Sequence, residues 1–334
     1  MTNTISIGFH GPEPLEPILK AVEFMKTHDD YLILCHRKPD GDTVGSAFAL
    51  REALRQMGKR AQVGCADTIT KRYDLITGGE RSPVLDFEPA HYITVDIASE
   101  GLLGEQYAHL AEKTDVLIDH HPSCSRFGKI NVVYPSTSAA AEVVWHVIKH
   151  MPVEMTLSMA SCVYVGISTD TGCFKYSNTS PSCLRLAAEI AEMGLDLSAI
   201  NYQLFMVKSA ARLAMEAKVI ETARMFHDGR ISVGVMTMKD RAVFGATEDD
   251  VDDLGSMMRG IEGVEVGLLL KEEPDGTYKV SLRSNAQVNV SKVAEEFGGG
   301  GHRRAAGCTI KGSLDEAISA LVKAVMRGFP ASAR

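Results

Sequence analysis

The sequence predicts an α/β protein: an N-terminal doubly wound, mostly parallel sheet followed by a smaller C-terminal α+β domain. Short apolar runs alternate with helix-length segments through the first half, the pattern of β-α-β units with helices on both faces. After Gly229 the order changes to strand, helix, hairpin, helix, strand, helix. Carboxylates and imidazoles also collect just past the ends of the apolar runs, where open parallel sheets bind ligands.

Taken in order, 17–27 is helical. Tyr31–Cys35 (YLILC) is a buried strand, and 44–57 is a helix. Strands follow at 60–65, 92–95 and 116–118, with 101–113 as the helix between the last two. Pro135 and small residues lead a helix over 137–150; 157–168 is an apolar buried helix; 182–192 follows Pro181 and stops near Gly194. Few breakers interrupt 198–226, read as one or two helices joining the halves. Then come a strand at 231–238, an acidic-started helix at 248–259, and a hairpin of 264–271 and 278–283 around the Pro274-Asp275-Gly276 turn. A short helix at 290–297 is broken by Gly298–Gly301. A strand at 305–310 and a helix at 314–327 complete the chain. The expected division is 1–197 as the catalytic domain, 198–228 as a helical linker and 229–334 as the substrate-binding domain.

The 334 residues suffice for two domains, and 45% hydrophobic with 23% charged residues is globular composition. No run of 18 apolar residues occurs, and the N-terminal stretch lacks a basic region followed by an apolar one. Neither a membrane span nor a signal peptide is expected. Seven cysteines (35, 65, 124, 162, 173, 183 and 308) form no Cys-x-x-Cys, which fits reduced thiols in the cytoplasm. A net charge of −8 argues against a long-duplex binder held by phosphate contacts, but not against short nucleotides gripped by cations and local arginines.

Four segments carry the chemistry. His36-Arg37-Lys38-Pro39-Asp40-Gly41-Asp42 ends one apolar run, Asp96 a second, Asp119-His120-His121 a third, and Asp170 follows a fourth. Asp-Gly is an ordinary turn signal, so any one segment alone reads as a loop. All four together, with the histidines in place, point to a two-metal phosphoesterase site. Neighbouring carboxylates repel and raise each other's pKa, a cost that cations relieve. If Asp40, Asp42, Asp96 and Asp170 are ligands, two divalent ions neutralise them, and Asp96 is the natural bridge. Mixed imidazole and carboxylate ligation suits Mn²⁺ better than Mg²⁺. His146 and His150 lack the Glu that a zincin helix needs and read as ordinary helix residues. His10, His28, His91, His109 and His227 have no partner pattern.

HRKPDGD, VDIAS, DHH and GISTDTGCF resemble the four motifs of the DHH phosphoesterases, and GGGGHRRAAG with Ser281-Leu282-Arg283-Ser284 before it resembles the DHHA1 substrate domain. The resemblance spans roughly residues 30 to 310. The compact two-domain length is similar to the nano-RNase/pAp-phosphatase branch (NrnA type), without the additional domains of RecJ exonucleases. It implies His36, Asp40 and Asp96 on one Mn²⁺, and Asp42, Asp96, His120 and Asp170 on the other, with Mg²⁺ or Co²⁺ as substitutes. It implies Asp119 as the residue that orients a neighbouring histidine, and His121 as the group facing the scissile phosphate. Arg283, Gly299, Gly300, Gly301, His302 and Arg303 would form the substrate clamp, its glycines letting the backbone approach a phosphate. The implied substrates are short RNA oligonucleotides and 3′-phosphoadenosine 5′-phosphate (pAp), cleaved in line by a bridging hydroxide. A soluble cyclic-di-AMP or pApA phosphodiesterase is the rival enzyme, and a catalytically silent nucleotide-binding protein the rival of another class. No membrane partner is expected, and a homodimer stays open.

Overall fold

The computed structural model describes residues 14–82, 84–251 and 254–330, the His302 side chain excepted. His10 therefore lies outside the described residues. The chain divides into two compact units between Val207 and Lys208.

The first unit holds a five-stranded parallel sheet of β1 (Tyr31–Leu34), β2 (Ala61–Gly64), β3 (His91–Val95), β4 (Thr114–Asp119) and β5 (Ile130–Val133). Their spatial order is 2-1-3-4-5, and every neighbouring pair is parallel. The direction of winding reverses between β1 and β3, and a doubly wound sheet opens its ligand crevice at that point. The edge strand β5 is not among the strands expected from sequence; Ile130-Asn131-Val132-Val133 is too short and too little periodic to stand out alone.

Side-chain alternation along β1 splits two cores. Tyr31 and Ile33 pack with Val63, Ile93, Val95, Val116 and Ile118 beneath helices. Those helices are α1 (Glu16–Thr27), α2 (Gly41–Gln56), α3 (Asp74–Thr77), α4 (Ala140–Lys149), α5 (Leu157–Asp170) and α6 (Pro181–Glu192). Leu32 and Leu34 face the other way, toward Ile97, Leu103, Tyr107 and Leu110. That second face carries no α-helix over 101–113, contrary to expectation. Two 3₁₀ segments, Glu100–Leu103 and Ala108–Lys113, cover it, because Gly104 at φ +75° and ψ 165° leaves helical space between them.

Helices α2, α4 and α5 pack closely at two glycines. A Cβ on Gly45 of α2 would fall 2.2 Å from the Cys162 carbonyl oxygen of α5, and one on Gly166 of α5 would fall 2.4 Å from the Ala141 Cβ of α4. This contact brings the start of α2 against the end of α5. Helix α4 begins at Ala140, three residues later than the sequence predicts, leaving Thr137 and Ser138 as an extended lead.

The connecting stretch is helical in two pieces. α7 (Leu197–Asn201) runs into a π-helical turn, Tyr202–Met206, and α8 (Ala210–Glu221) follows in the second unit. The expected helical tail instead forms a strand, β6 (Arg224–Phe226). It pairs antiparallel with β7 (Ile231–Met236), starting a mixed sheet with β8 (Val266–Glu272), β9 (Tyr278–Ser284), β10 (Gly300–His302) and β11 (Ala305–Ile310). The order is 10-11-9-8-7-6, with only β7 and β8 parallel. The β8–β9 hairpin turns where predicted, Gly276 taking φ +76°. Helix α9 spans Met238–Phe244; of the helix expected over 248–259, Glu248–Val251 (α10) and Gly255–Arg259 (α11) are helical, and positions 252 and 253 lie outside the described residues. α12 (Val290–Glu295) and α13 (Leu314–Arg327) cover one face of the sheet, while α8, α10 and α11 cover the other.

Candidate metal centre

Three strand ends and two helix ends of the first unit converge. His36 leaves β1, and its Nδ1 lies 2.8 Å from the Arg37 carbonyl oxygen, which turns Nε2 inward. That Nε2 lies 3.5 Å from Asp40 Oδ1 and 3.6 Å from Asp96 Oδ2. Asp40 is the N-cap of α2: its Oδ1 accepts the Asp42 and Thr43 amides at 3.0 and 3.1 Å. Asp96 follows β3 with φ +60°, a left-handed conformation that an aspartate tolerates better than most residues. Its amide still donates to the Ile118 carbonyl at 2.9 Å, so the turn occurs without losing the ladder to β4. Thr43 ties the ends together, its hydroxyl donating to the Val95 carbonyl at 2.9 Å and accepting the His36 amide at 3.4 Å.

From β4 come Asp119, His120 and His121. His120 Nε2 lies 3.9 Å from Asp42 Oδ2, 3.7 Å from Asp96 Oδ1 and 3.8 Å from Asp170 Oδ2. Asp119 is fully buried, and its Oδ1 meets His121 Nδ1 at 2.8 Å and the His120 amide at 2.7 Å. Asp42 sits inside the first turn of α2, not in the loop before it. Its two oxygens accept the Ala140 and Ala141 amides of α4 at 2.6 and 2.8 Å. Ala139 has no capping side chain, so Asp42 caps α4 from another helix. Asp170 is the last residue of α5, delivered by a helix end where the other acidic groups come from strand ends and the start of α2.

The donor set fits divalent cations. Three groups, His36/Asp40/Asp96, Asp42/His120/Asp170 and Asp96/His120/His121, each offer ligand atoms within 4.8 Å of one another. Asp96 Oδ1 is buried without a hydrogen-bond partner, an unmet acceptor aimed into the cluster. No lysine or arginine ion pair reaches Asp40, Asp42, Asp96 or Asp170 among the described residues. The third group is weaker as a ligand set, because the Nδ1 of His121 already serves Asp119.

The electrostatics match a site short of positive charge. Burial, reinforced by Asp96, Asp170 and Asp40, pushes the Asp42 carboxyl well above the usual range. Burial, with Asp96 and Asp40 adding to it and His120 opposing, pushes Asp170 up to about 6. Burial would drive the His36 imidazolium pKa down, but the Asp40 and Asp96 carboxylates outweigh it and hold it well above its ordinary value. The same contest at His121 is won by Asp119, Asp96 and Asp170, which hold it at about 9.

Two matches place the chain among known proteins. Residues 30–167 match the model of the DHH family, N-terminal domain, and residues 232–327 match that of the DHHA1 domain. The chain is 35% identical over 315 residues to the bifunctional oligoribonuclease and PAP phosphatase NrnA of Thermus thermophilus, covering 92% of this chain and 91% of that protein.

The chain belongs to the DHH family.

As a DHH protein it also resembles the cyclic-di-AMP phosphodiesterase PdeA of Listeria monocytogenes, at 24% identity over 91% of this chain but only 48% of that protein. Its fold is shared with an exopolyphosphatase-related protein of Bacteroides fragilis, with a TM-score of 0.86 at 23% identity, covering 93% and 96% of the two chains.

All eight residues assigned by sequence to the metal and catalytic roles thus lie together at one end of the DHH sheet. The clamp candidates lie in the second unit. Arg283 is half-buried on β9, its guanidinium on the Leu282 and Ala306 carbonyls at 3.1 and 3.4 Å. Gly300, Gly301 and His302 form edge strand β10 against β11, so the glycine run is partly sheet and only Gly298 and Gly299 break the helix. Arg303 is exposed in the β10–β11 turn, and the His302 side chain lies outside the described residues. Sequence reasoning missed Thr43, Glu142, Asn178 and the α4 amides. No motif spacing marks them, because their partners are set by how the segments pack.

No helix among the described residues is long and apolar enough to cross a membrane.

Proposed function

We propose that this DHH protein is a manganese-dependent phosphoesterase that hydrolyses short oligoribonucleotides to 5′-mononucleotides and pAp to AMP. The observation that carries the reading is a pair of carboxylate–imidazole groups joined through Asp96. The relative matched over nine-tenths of both chains is named for those two activities. His36, Asp40 and Asp96 would hold one cation, and Asp42, Asp96, His120 and Asp170 the other. Bound divalent ions supply charge neutralisation for the carboxylates and the phosphate, and lower the pKa of a water.

The chain's own residues do the rest. Asp119 occupies Nδ1 of His121, which leaves Nε2 to meet the substrate. From there the ring can stabilise a phosphate oxygen or donate a proton to the leaving oxygen. Both reactions release a ribose 3′-oxygen, so one arrangement serves both. Arg283 and Arg303, with the Gly299–Gly301 backbone and His302, are the groups we assign to a neighbouring phosphate. Seven free cysteines, four of them buried, support placement in the reducing cytoplasm.

The likeness to PdeA supports a second reading, hydrolysis of pApA or cyclic-di-AMP. One panel separates the readings: pAp, pApA, cyclic-di-AMP and a five-nucleotide RNA, each incubated with pure protein and Mn²⁺, Mg²⁺ or Co²⁺. Fastest turnover of pAp and RNA with Mn²⁺ is expected. Preference for cyclic-di-AMP would transfer the assignment to the second reading. Tight pAp binding with no hydrolysis under any metal would make the protein a silent nucleotide binder.

A further inference from the structure

One short segment, Thr137–Ala141, leading into the first turn of α4, touches His120 and Asp42 directly and reaches Asp170 through Asn178. The Thr137 carbonyl lies 3.4 Å from His120 Nδ1, the ring nitrogen opposite the one facing the carboxylates. The Ala140 and Ala141 amides hold both oxygens of Asp42. The Ser138 carbonyl accepts from Asn178 Nδ2 at 3.1 Å, and that same amide nitrogen reaches Asp170 Oδ2 at 3.0 Å and the Asp170 carbonyl at 3.2 Å. Asn178 therefore couples Asp170 to the segment.

The segment is itself pinned. Glu142, almost fully buried, accepts the Ser138 amide at 2.9 Å. The Ser138 hydroxyl bonds the Asn178 carbonyl at 2.7 Å and the Ser180 hydroxyl at 2.9 Å. The His36/Asp40 group has none of these supports. His36 is set by its neighbour's carbonyl and Asp40 by the amides of its own helix start.

We propose that Asn178 and Glu142 are positioning residues that frame the Asp42/His120/Asp170 cation subsite and leave the His36/Asp40 subsite untouched. The inference rests on the two-cation reading above. Loosening the frame then empties one subsite ahead of the other, because residues that orient metal ligands govern affinity at that metal.

The test is calorimetric titration of metal-free, full-length protein with Mn²⁺, paired with the electron paramagnetic resonance of the bound ions. Wild type should take up two ions per chain as a spin-coupled pair. Asn178→Ala, at an exposed position, should fold normally and keep one tight site. Its other site should weaken by roughly ten- to a hundredfold, with an isolated Mn²⁺ signal at low loading. Saturating Mn²⁺ should restore kcat without changing KM for pAp. Glu142→Ala should behave alike, and Glu142→Gln, which keeps an acceptor for the Ser138 amide, should recover most of the affinity. Equal weakening of both sites, or of neither, in Asn178→Ala would overturn the proposal while leaving the two-cation reading standing. A wild type that binds no Mn²⁺ would overturn both.

Discussion

Gly166 faces Asp42 across the α2–α5 contact, so closely that a methyl group on Gly166 would lie 2.9 Å from Asp42 Oδ1. The same methyl would meet the Ala141 Cβ at 2.4 Å. Gly166→Ala must therefore push α5 away from both the helix that carries Asp42 and the helix start that holds it. Overpacking of this kind costs about 1–3 kcal/mol. A lowered melting temperature together with weaker Mn²⁺ uptake is expected. Wild-type values for both would mean that the contact does not constrain the site.

Asp96 stands in the His36/Asp40 group, and its Oδ1 lies 3.7 Å from His120 Nε2 of the Asp42/His120/Asp170 group, so on the proposed two-cation reading removing its charge should disable both sites. Asparagine is the informative substitution, because φ +60° suits Asn far better than Ala. Asp96→Asn should melt within a few degrees of wild type yet lose Mn²⁺-dependent hydrolysis of pAp by on the order of a thousandfold, as for loss of a principal electrostatic group. Retention of a tenth of the activity would remove Asp96 from its bridging role.

Asp170 gives the pH dependence. Burial holds its folded-state carboxyl up at about 6, against an ordinary value of 3.8. The folded protein thus binds this proton more tightly than the unfolded chain. Without metal, the contribution is a gain in stability as pH falls through about 6 and a deficit above it. Asp170→Asn should stabilise the metal-free protein by about 3 kcal/mol at pH 7, with the difference from wild type shrinking toward pH 4. The same variant should bind Mn²⁺ poorly. Urea unfolding at pH 7, 6, 5 and 4 in the presence of a chelator measures the first effect, and a variant less stable than wild type at pH 7 would refute it.

Two adjacent glycines separate packing from ligand contact in the second unit. A Cβ on Gly299 would stand 2.2 Å from the Gly307 carbonyl oxygen, whereas one on Gly300 would meet nothing within 4 Å. Gly299→Ala should lower stability measurably. Gly300→Ala should leave it unchanged and, if the strand edge meets a phosphate, raise KM for pAp several-fold. An unchanged KM in Gly300→Ala would take that glycine out of the clamp.

Much of the site is legible in the amino-acid sequence, because its parts sit at the ends of apolar runs. His36, Asp96 and the Asp119–His121 triplet each follow a buried strand, and a parallel sheet aligns such ends by geometry. Asp40 is legible as a turn residue but not as the N-cap of α2. The helix expected over 101–113 fails where helical length is inferred from spacing alone and Gly104 bends the chain. Strand β5 escapes because a short segment takes its conformation from its neighbours.

The order of residues alone dictates which side chains could carry charge to the site, and that the first half would wind as a parallel sheet. Both are local facts, written in apolar runs and in the residues that follow them. Packing of the whole unit was needed for Asp42 to cap α4, for Asp170 to arrive from a helix end, and for Asn178 and Glu142 to brace them. Those contacts join residues as far as 99 positions apart. The Asp42 contact with α4 forms only once helices remote in sequence pack together, because such hydrogen bonds depend on distances that no local pattern encodes.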